Sequence, residues 1–311
     1  MSGRVGTAAP GVLLDANPYR SMKEDRFAAL VELERHRGVA RYAEPFAVME
    51  LLAHLADPQD PAFASCRRAI GRVFRRCGPA GGDPCGIIRD SESRLHELIT
   101  GKGLEGNDAR TETMGVLISR IATTPFDQPL LEEENSRLRV VAAHVAETEA
   151  SFADTGRRLQ QTIKAVLDSE EDPAERERIW KSVMATNASD VQRKAIAEVL
   201  LRAWCREAGL PLPEPPPPAL VERVLKCAPG WIEFEARLWR TVAFDGANVE
   251  SSRIRNLRWD QRIAFNIGQT IGQRRLWLVT DDSAFARVAE ATGFDDRVHT
   301  LAAYERWLQG G

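Results

Sequence analysis

The sequence predicts an α/β fold whose sheet is built from both ends of the chain, with a long helical segment between them. Three observations predict it. Gly11-Val12-Leu13-Leu14 is a short apolar run stopped by Asp15 and Asn17-Pro18, the form of a buried parallel strand ending at a sheet edge. Leu276-Trp277-Leu278-Val279-Thr280 repeats that form near the other end and stops at Asp281-Asp282. Between residues 61 and 249 apolar positions recur at helical spacing, in stretches broken by glycine, proline or asparagine.

After the first strand, Ser21 to Arg37 places Phe27, Leu30, Val31 and Leu33 among charges and ends at Gly38, which predicts an amphipathic helix. Val39–Tyr42 predicts a second strand, and Phe46–Leu55 an apolar helix. Helices are then predicted over 63–76, 92–100, 110–121, 132–167, 174–186, 189–208 and 219–226. Proline repeats between Pro211 and Pro218 forbid helix or sheet interior and predict a stiff extended connector. The end of the chain returns to alternation: helix 259–271, strand 276–280, helix 285–292 and strand 298–301.

At 311 residues the chain has room for two domains, or for one domain with a large insertion. The reading adopted is a core over 1–60 and 251–311, interrupted by a helical segment over 61–250. A hydrophobic content of 43% with 28% charged residues excludes a disordered chain. The net charge of -3 argues against coating long duplexes, though not against local phosphate contacts. Cys66, Cys77, Cys85 and His96 are too widely spaced for a zinc knuckle, which favours free thiols in a reducing compartment. No run of about 20 apolar residues offers a membrane span. Met1–Pro10 lacks the apolar core of a signal peptide. The expectation is a soluble, cytoplasmic protein.

Ligands of an open parallel sheet bind beyond the carboxyl ends of its strands. Here Asp15 and Asp281-Asp282 stand at such ends. Two unit charges about 4 Å apart repel by roughly 4 kcal/mol at an effective dielectric of 20. A hard divalent cation such as Mg²⁺ or Mn²⁺ turns that repulsion into a site. Glu50 lies among apolar neighbours, which suggests a buried carboxylate needing a partner or a metal. Asp260 is read as opening the helix before the last long strand, where an acid also suits the helix dipole.

These residues together resemble the PIN-like nucleases. Leu13-Leu14-Asp15-Ala16-Asn17 is similar to the family's first strand and acid, and Glu50 to its second acid. Asp260 in Asp260-Gln261-Arg262-Ile263-Ala264 is similar to the third. Thr280-Asp281-Asp282 with Phe285 is similar to the fourth, in which the acid two positions after the threonine is the ligand. The resemblance covers roughly residues 11–56 and 256–303; the middle segment has no counterpart in it. It implies a three-layer α/β/α core with a central parallel sheet and a large all-helical insertion. It also implies hydrolysis of phosphodiesters, commonly in RNA, with Mg²⁺ or Mn²⁺ held by Asp15, Glu50, Asp260 and Asp282, and Asp281 as the alternative ligand. Glu50 would orient or deprotonate the nucleophile, and Asn17 would fix the carboxylate of Asp15 or a metal-bound water.

Arg68, Arg72, Arg75 and Arg76 share a helix face and could bind phosphate, or pair with glutamates; Arg258 and Arg262 could contact the strand near Asp260. Trp231, Trp239 and Trp259 could stack on bases or fill the core. The leading expectation is a ribonuclease acting on single-stranded or structured RNA, of a kind suited to a toxin or defence effector restrained by a protein partner. The alternatives are an inactive scaffold that binds RNA or protein, and a phosphohydrolase of the haloacid dehalogenase type. The latter wants Asp-x-Asp where this chain has Asn17.

Overall fold

The computed structural model describes residues 9–78, 85–103, 107–184, 189–244 and 248–310. The fold is α/β. In chain order the elements are β1 (Gly11–Leu14), α1 (Ala16–Ser21), α2 (Glu24–His36), β2 (Ala40–Ala43), α3 (Pro45–Ala53), α4 (Phe63–Cys77), β3 (Cys85–Ile87), α5 (Ser91–Thr100) and α6 (Asn107–Thr123). There follow α7 (Glu132–Ser169), α8 (Pro173–Met184), α9 (Asp190–Glu207), α10 (Pro218–Cys227), α11 (Pro229–Phe244) and α12 (Ser252–Ala264). The chain closes with β4 (Thr270–Ile271), β5 (Arg274–Val279), α13 (Ser283–Thr292), β6 (Val298–His299) and α14 (Leu301–Gln309).

The six strands form one mixed, mostly parallel sheet in the order β3-β2-β1-β5, with β4 and β6 sharing the next place beside β5. β4 runs antiparallel to the start of β5, and β6 runs parallel to its end. Central β1 is wholly apolar and buried, as a strand with parallel neighbours on both sides must be. Its register sets Leu14 beside Ala43 of β2 and Val279 of β5, so the carboxyl ends of the three strands align.

The chain divides into two compact units, 1–145 with 266–311, and 146–265, rather than near 60 and 250. The first boundary moves because α4 packs on β2, β3, α1, α3 and α6, and so belongs with the sheet. In the second unit α11 packs against α9, α10 and α12. The helix expected over Ser21–Arg37 is α2, which starts later: α1, not expected from the sequence, ends at Ser21, the backbone is extended at Met22, and α2 begins with Glu24 and Asp25 in its first turn. The helix expected over 259–271 instead spans Ser252–Ala264. The helix end read at Thr186 lies outside the described residues. So does most of the N-terminal segment Met1–Pro10, of which 9 and 10 are described.

The turn from α12 to β4 contains Gly268, at φ +85°. A Cβ there would meet the Phe294 ring at 2.8 Å. Gly268→Ala is therefore expected to cost about 1–3 kcal/mol. Thermal denaturation should show a midpoint lowered by roughly 2–4 °C per kcal/mol.

Candidate active site at the carboxyl edge of the sheet

Four neighbouring parallel strands end close to a carboxylate. Asp15 follows β1, Glu44 follows β2, Asp90 comes three residues after β3, and Asp281-Asp282 come just after β5. Four of these acids also start a helix. The first backbone N–H groups of a helix lack intrahelical acceptors, and a carboxylate before the first turn supplies one. Asp15 accepts from the Ala16 amide at 2.7 Å and Glu44 from the Ala47 amide at 2.9 Å. Asp90 accepts from the Ser93 amide, and Asp282 from the Ala284 amide, both at 2.7 Å.

Asp15 and Asp282 are joined through Thr280. The Thr280 hydroxyl accepts the Asp282 amide at 3.1 Å and donates to Asp15 Oδ2 at 3.0 Å. Since one lone pair takes an N–H, the hydroxyl proton is left to point at the carboxylate, which fixes its orientation. Asp15 is 8% exposed, and among the described residues no lysine or arginine pairs with it. Burial pushes its carboxyl pKa above the ordinary range; its hydrogen bonds from Ala16 and Thr280 oppose this, and the charges of Asp282 and Asp281 add to it. Glu44 is more deeply covered. Burial pushes it up to about 7 against amide bonds from Ala47 and Phe46, with smaller contributions from Asp90 and Asp15.

A hard cation suits this chemistry. Asp15 is a buried oxygen donor without a basic partner among the described residues, and Asp282 is exposed on the adjacent strand end. Among the described residues no three His, Cys, Asp or Glu side chains are arranged to hold a metal ion by themselves. A shell built on Asp15 and Asp282 would therefore be completed largely by water, the arrangement Mg²⁺ accepts.

Glu44 gives a pH prediction. Its folded pKa of about 7 lies above the ordinary 4.5, so the folded state holds this proton to higher pH than the unfolded chain. The resulting cost is absent below about pH 4.5 and complete above about pH 7, where it is on the order of 3 kcal/mol. Glu44→Gln keeps the oxygen that caps α3. The variant should melt above wild type at pH 8 without divalent ions, and the gap should close as pH falls to 4.5. A gap that widens on acidification would refute the assignment.

The other acids named from the sequence are placed differently from expectation. Glu50 is not embedded: it is half-buried on α3 and pairs with Arg20 of α1 at 3.5 Å. Asp260 does not open a helix; it is half-buried in the third turn of α12, in the second unit. Asn17 is exposed and makes no bond to Asp15; the fixing role expected of it falls to Thr280. Pro18 sits in the first turn of α1, where a missing N–H costs nothing. Asp281 accepts the Leu301 amide at 3.1 Å at the start of α14, while Asp282 faces solvent.

The arginine face is largely internal. Arg76 is fully buried against Glu34, and Arg72 donates to the Tyr19 carbonyl at 2.7 Å, so neither offers a phosphate surface. Arg75 is exposed but paired with Glu24; Arg68 is exposed and lies over the Phe126 ring. In the second unit Arg262 is buried over Trp259, and Arg258 donates to Gln261 at 2.6 Å. Trp231 and Trp259 are core residues, and half-buried Trp239 packs on Phe152. Cys66 and Cys77 are buried free thiols; burial pushes both pKa values up.

Glu44 and Asp90 were not singled out from the sequence. Glu44 carried a usable signal, since it follows a strand run and precedes Pro45 as Asp15 follows one and precedes α1. No protein-family model, curated protein or solved structure matches the chain.

Proposed function

We propose that this chain is a metal-dependent nuclease of the PIN-like kind, an endoribonuclease whose acidic site lies at the carboxyl edge of the sheet. One observation carries the reading: Asp15 and Asp282 follow neighbouring parallel strands and are tied together by Thr280. Such a pair is costly without a cation and useful with one. Asp15 and Asp282 would hold Mg²⁺ or Mn²⁺, with Thr280 keeping the Asp15 carboxylate in a fixed orientation. A bound divalent ion supplies positive charge to the scissile phosphate and lowers the pKa of water. Glu50, on α3, is the residue proposed to orient the attacking water once it leaves Arg20.

A second reading is an inactive scaffold that binds RNA or protein. It is favoured by the pairing of Glu50 with Arg20 and by the capping duty of the strand-end acids. Single-stranded RNA, structured RNA, single-stranded DNA and a generic phosphomonoester, each incubated with Mg²⁺, Mn²⁺ or EDTA, separate the cases. Cleavage of RNA with metal and none with EDTA is expected. RNA bound but uncut under every condition would establish the scaffold, and hydrolysis of the phosphomonoester alone would point to another phosphohydrolase.

A further inference from the structure

We propose that Arg37, Arg274, Trp277 and Trp307 form a surface that grips single-stranded RNA, phosphates on the arginines and bases on the indoles. The inference rests on the nuclease reading for the identity of the strand, and on geometry away from the acids for the surface. Trp277 lies on β5 and Trp307 on α14, and their rings meet edge to face with centroids 4.7 Å apart. Both are half-buried, so part of each indole is open to solvent. Trp277 stands three residues before Thr280, about 10 Å along the strand, so β5 leads from this surface to the acidic site. Likewise α14 starts at Leu301, whose amide Asp281 accepts, and carries Trp307 near its other end.

Among the described residues, no carboxylate pairs with either arginine. Arg37 follows α2, is exposed, and lies over the Trp307 ring with its guanidinium carbon 5.9 Å from the centroid. Its Nε donates to the Leu308 carbonyl at 2.8 Å. Gly310 makes room for it, since a Cβ there would come within 3.0 Å of Arg37 Nη2. Arg274 Nη1 reaches the Ala9 carbonyl at 2.8 Å and the Gly38 carbonyl at 3.5 Å, so both cations converge on the end of α2. Carbonyl oxygens orient a guanidinium without cancelling its charge. Arg26 shows the alternative on the same pair of helices, where Glu305 of α14 accepts two bonds of 2.7 Å from it. Arg262 lies over Trp259 as Arg37 lies over Trp307, but it is buried and out of reach of a strand. An exposed guanidinium on an indole offers both things a single strand needs, a donor fork for phosphate and a flat face for a base.

The test measures binding of a labelled single-stranded oligouridylate to the full-length protein in EDTA, with Asp15→Asn present so that the strand is not consumed. Arg37→Gln with Arg274→Gln should weaken binding and flatten the dependence of log affinity on log salt by about 1.4, at about 0.7 for each lost phosphate contact. Trp307→Ala should weaken binding about 10-fold, and Trp307→Phe should recover most of that loss because a flat ring remains. Melting temperatures within a few degrees of the parent establish that the variants are folded; the arginine pair carries the test if Trp307→Ala is not. If wild type cuts RNA and the arginine pair leaves affinity and slope unchanged, the surface falls while the nuclease reading stands. If wild type binds RNA without cutting and the arginine pair flattens the slope, the nuclease reading falls and the surface stands. A folded Trp307→Ala that binds as tightly as its parent would overturn the stacking of bases on the indoles. A wild type that neither binds nor cuts RNA would overturn both.

Discussion

Asp15→Asn is expected to lower RNA cleavage at least about 100-fold while the metal-free protein melts no lower than wild type. The two outcomes follow from one substitution because Asp15 has two duties. As the cap of α1 it needs an oxygen facing the Ala16 amide, which asparagine retains. Toward Thr280 the amide nitrogen replaces an acceptor with a donor, and the hydroxyl oxygen has a second lone pair to receive it. As a ligand, however, the side chain loses its negative charge, and an amide oxygen is a poorer donor to a hard cation. Burial and the nearby Asp281 and Asp282 already work against the ionised form of Asp15, so neutralising it relieves the metal-free protein. Mg²⁺ or Mn²⁺ should accordingly raise the melting temperature of wild type more than that of the variant. Cleavage at the wild-type rate would remove Asp15 from the ligands, and an unfolded variant would make it a structural residue alone.

Arg76→Ala is expected to cost about 3–5 kcal/mol, the largest loss from a single side chain in the sheet-bearing unit. Arg76 and Glu34 are both fully buried and meet through two bonds, Nε to Oε2 at 2.9 Å and Nη2 to Oε1 at 2.7 Å. The remaining donors reach the Tyr42 carbonyl of β2 at 3.1 Å, the Val12 carbonyl of β1 at 3.2 Å and the Tyr19 hydroxyl at 3.1 Å. Tyr304 of α14 donates to the same carboxylate at 2.8 Å. Removing the guanidinium strands Glu34 without its countercharge and removes a donor from two strand carbonyls. Urea unfolding should show a lower midpoint with an unchanged slope. The double variant Arg76→Met with Glu34→Leu should lose less than the sum of its single changes, because neither charge is then left alone. A loss below about 1 kcal/mol from Arg76→Ala would mean that water reaches the pair.

Arg76 also marks the limit of what could be read from the sequence. Five arginines between Arg67 and Arg76 have the composition of a phosphate surface. Helical periodicity gives their angular positions but not which side of α4 meets the sheet, and that depends on long-range packing against β2 and β3. The strands were legible where four apolar residues ended in an acid, as at Leu14-Asp15 and Val279 with Asp281-Asp282. β3 was not, since Cys85-Gly86-Ile87 is only three residues long with a glycine at its centre and exists because β2 offers it a ladder. Asp260 was misplaced within its helix because Ser251, the true cap, stands eight residues before Trp259, where the sequence reading began the helix. Glu50 was legible as an acid among apolar residues, yet it is half-buried and pairs with Arg20, on the short helix α1 that the sequence reading did not include.

The strand-end caps have a consequence for how this chain can change by mutation. Alanine at Asp15, Glu44, Asp90 or Asp282 deletes a helix start as well as a charge, at about 0.5–2 kcal/mol each. Two such losses consume a large share of the 5–15 kcal/mol that typically holds a domain together. Asparagine or glutamine in the same places keeps the helix start and discards the charge. A lineage that abandoned its chemistry could therefore drift freely toward amides at this edge, while the route through small apolar residues stays closed by folding alone. Carboxyl-to-amide exchange here would be the mark of lost catalysis, and persistence of some hydrogen-bonding side chain at all four positions would say nothing about it.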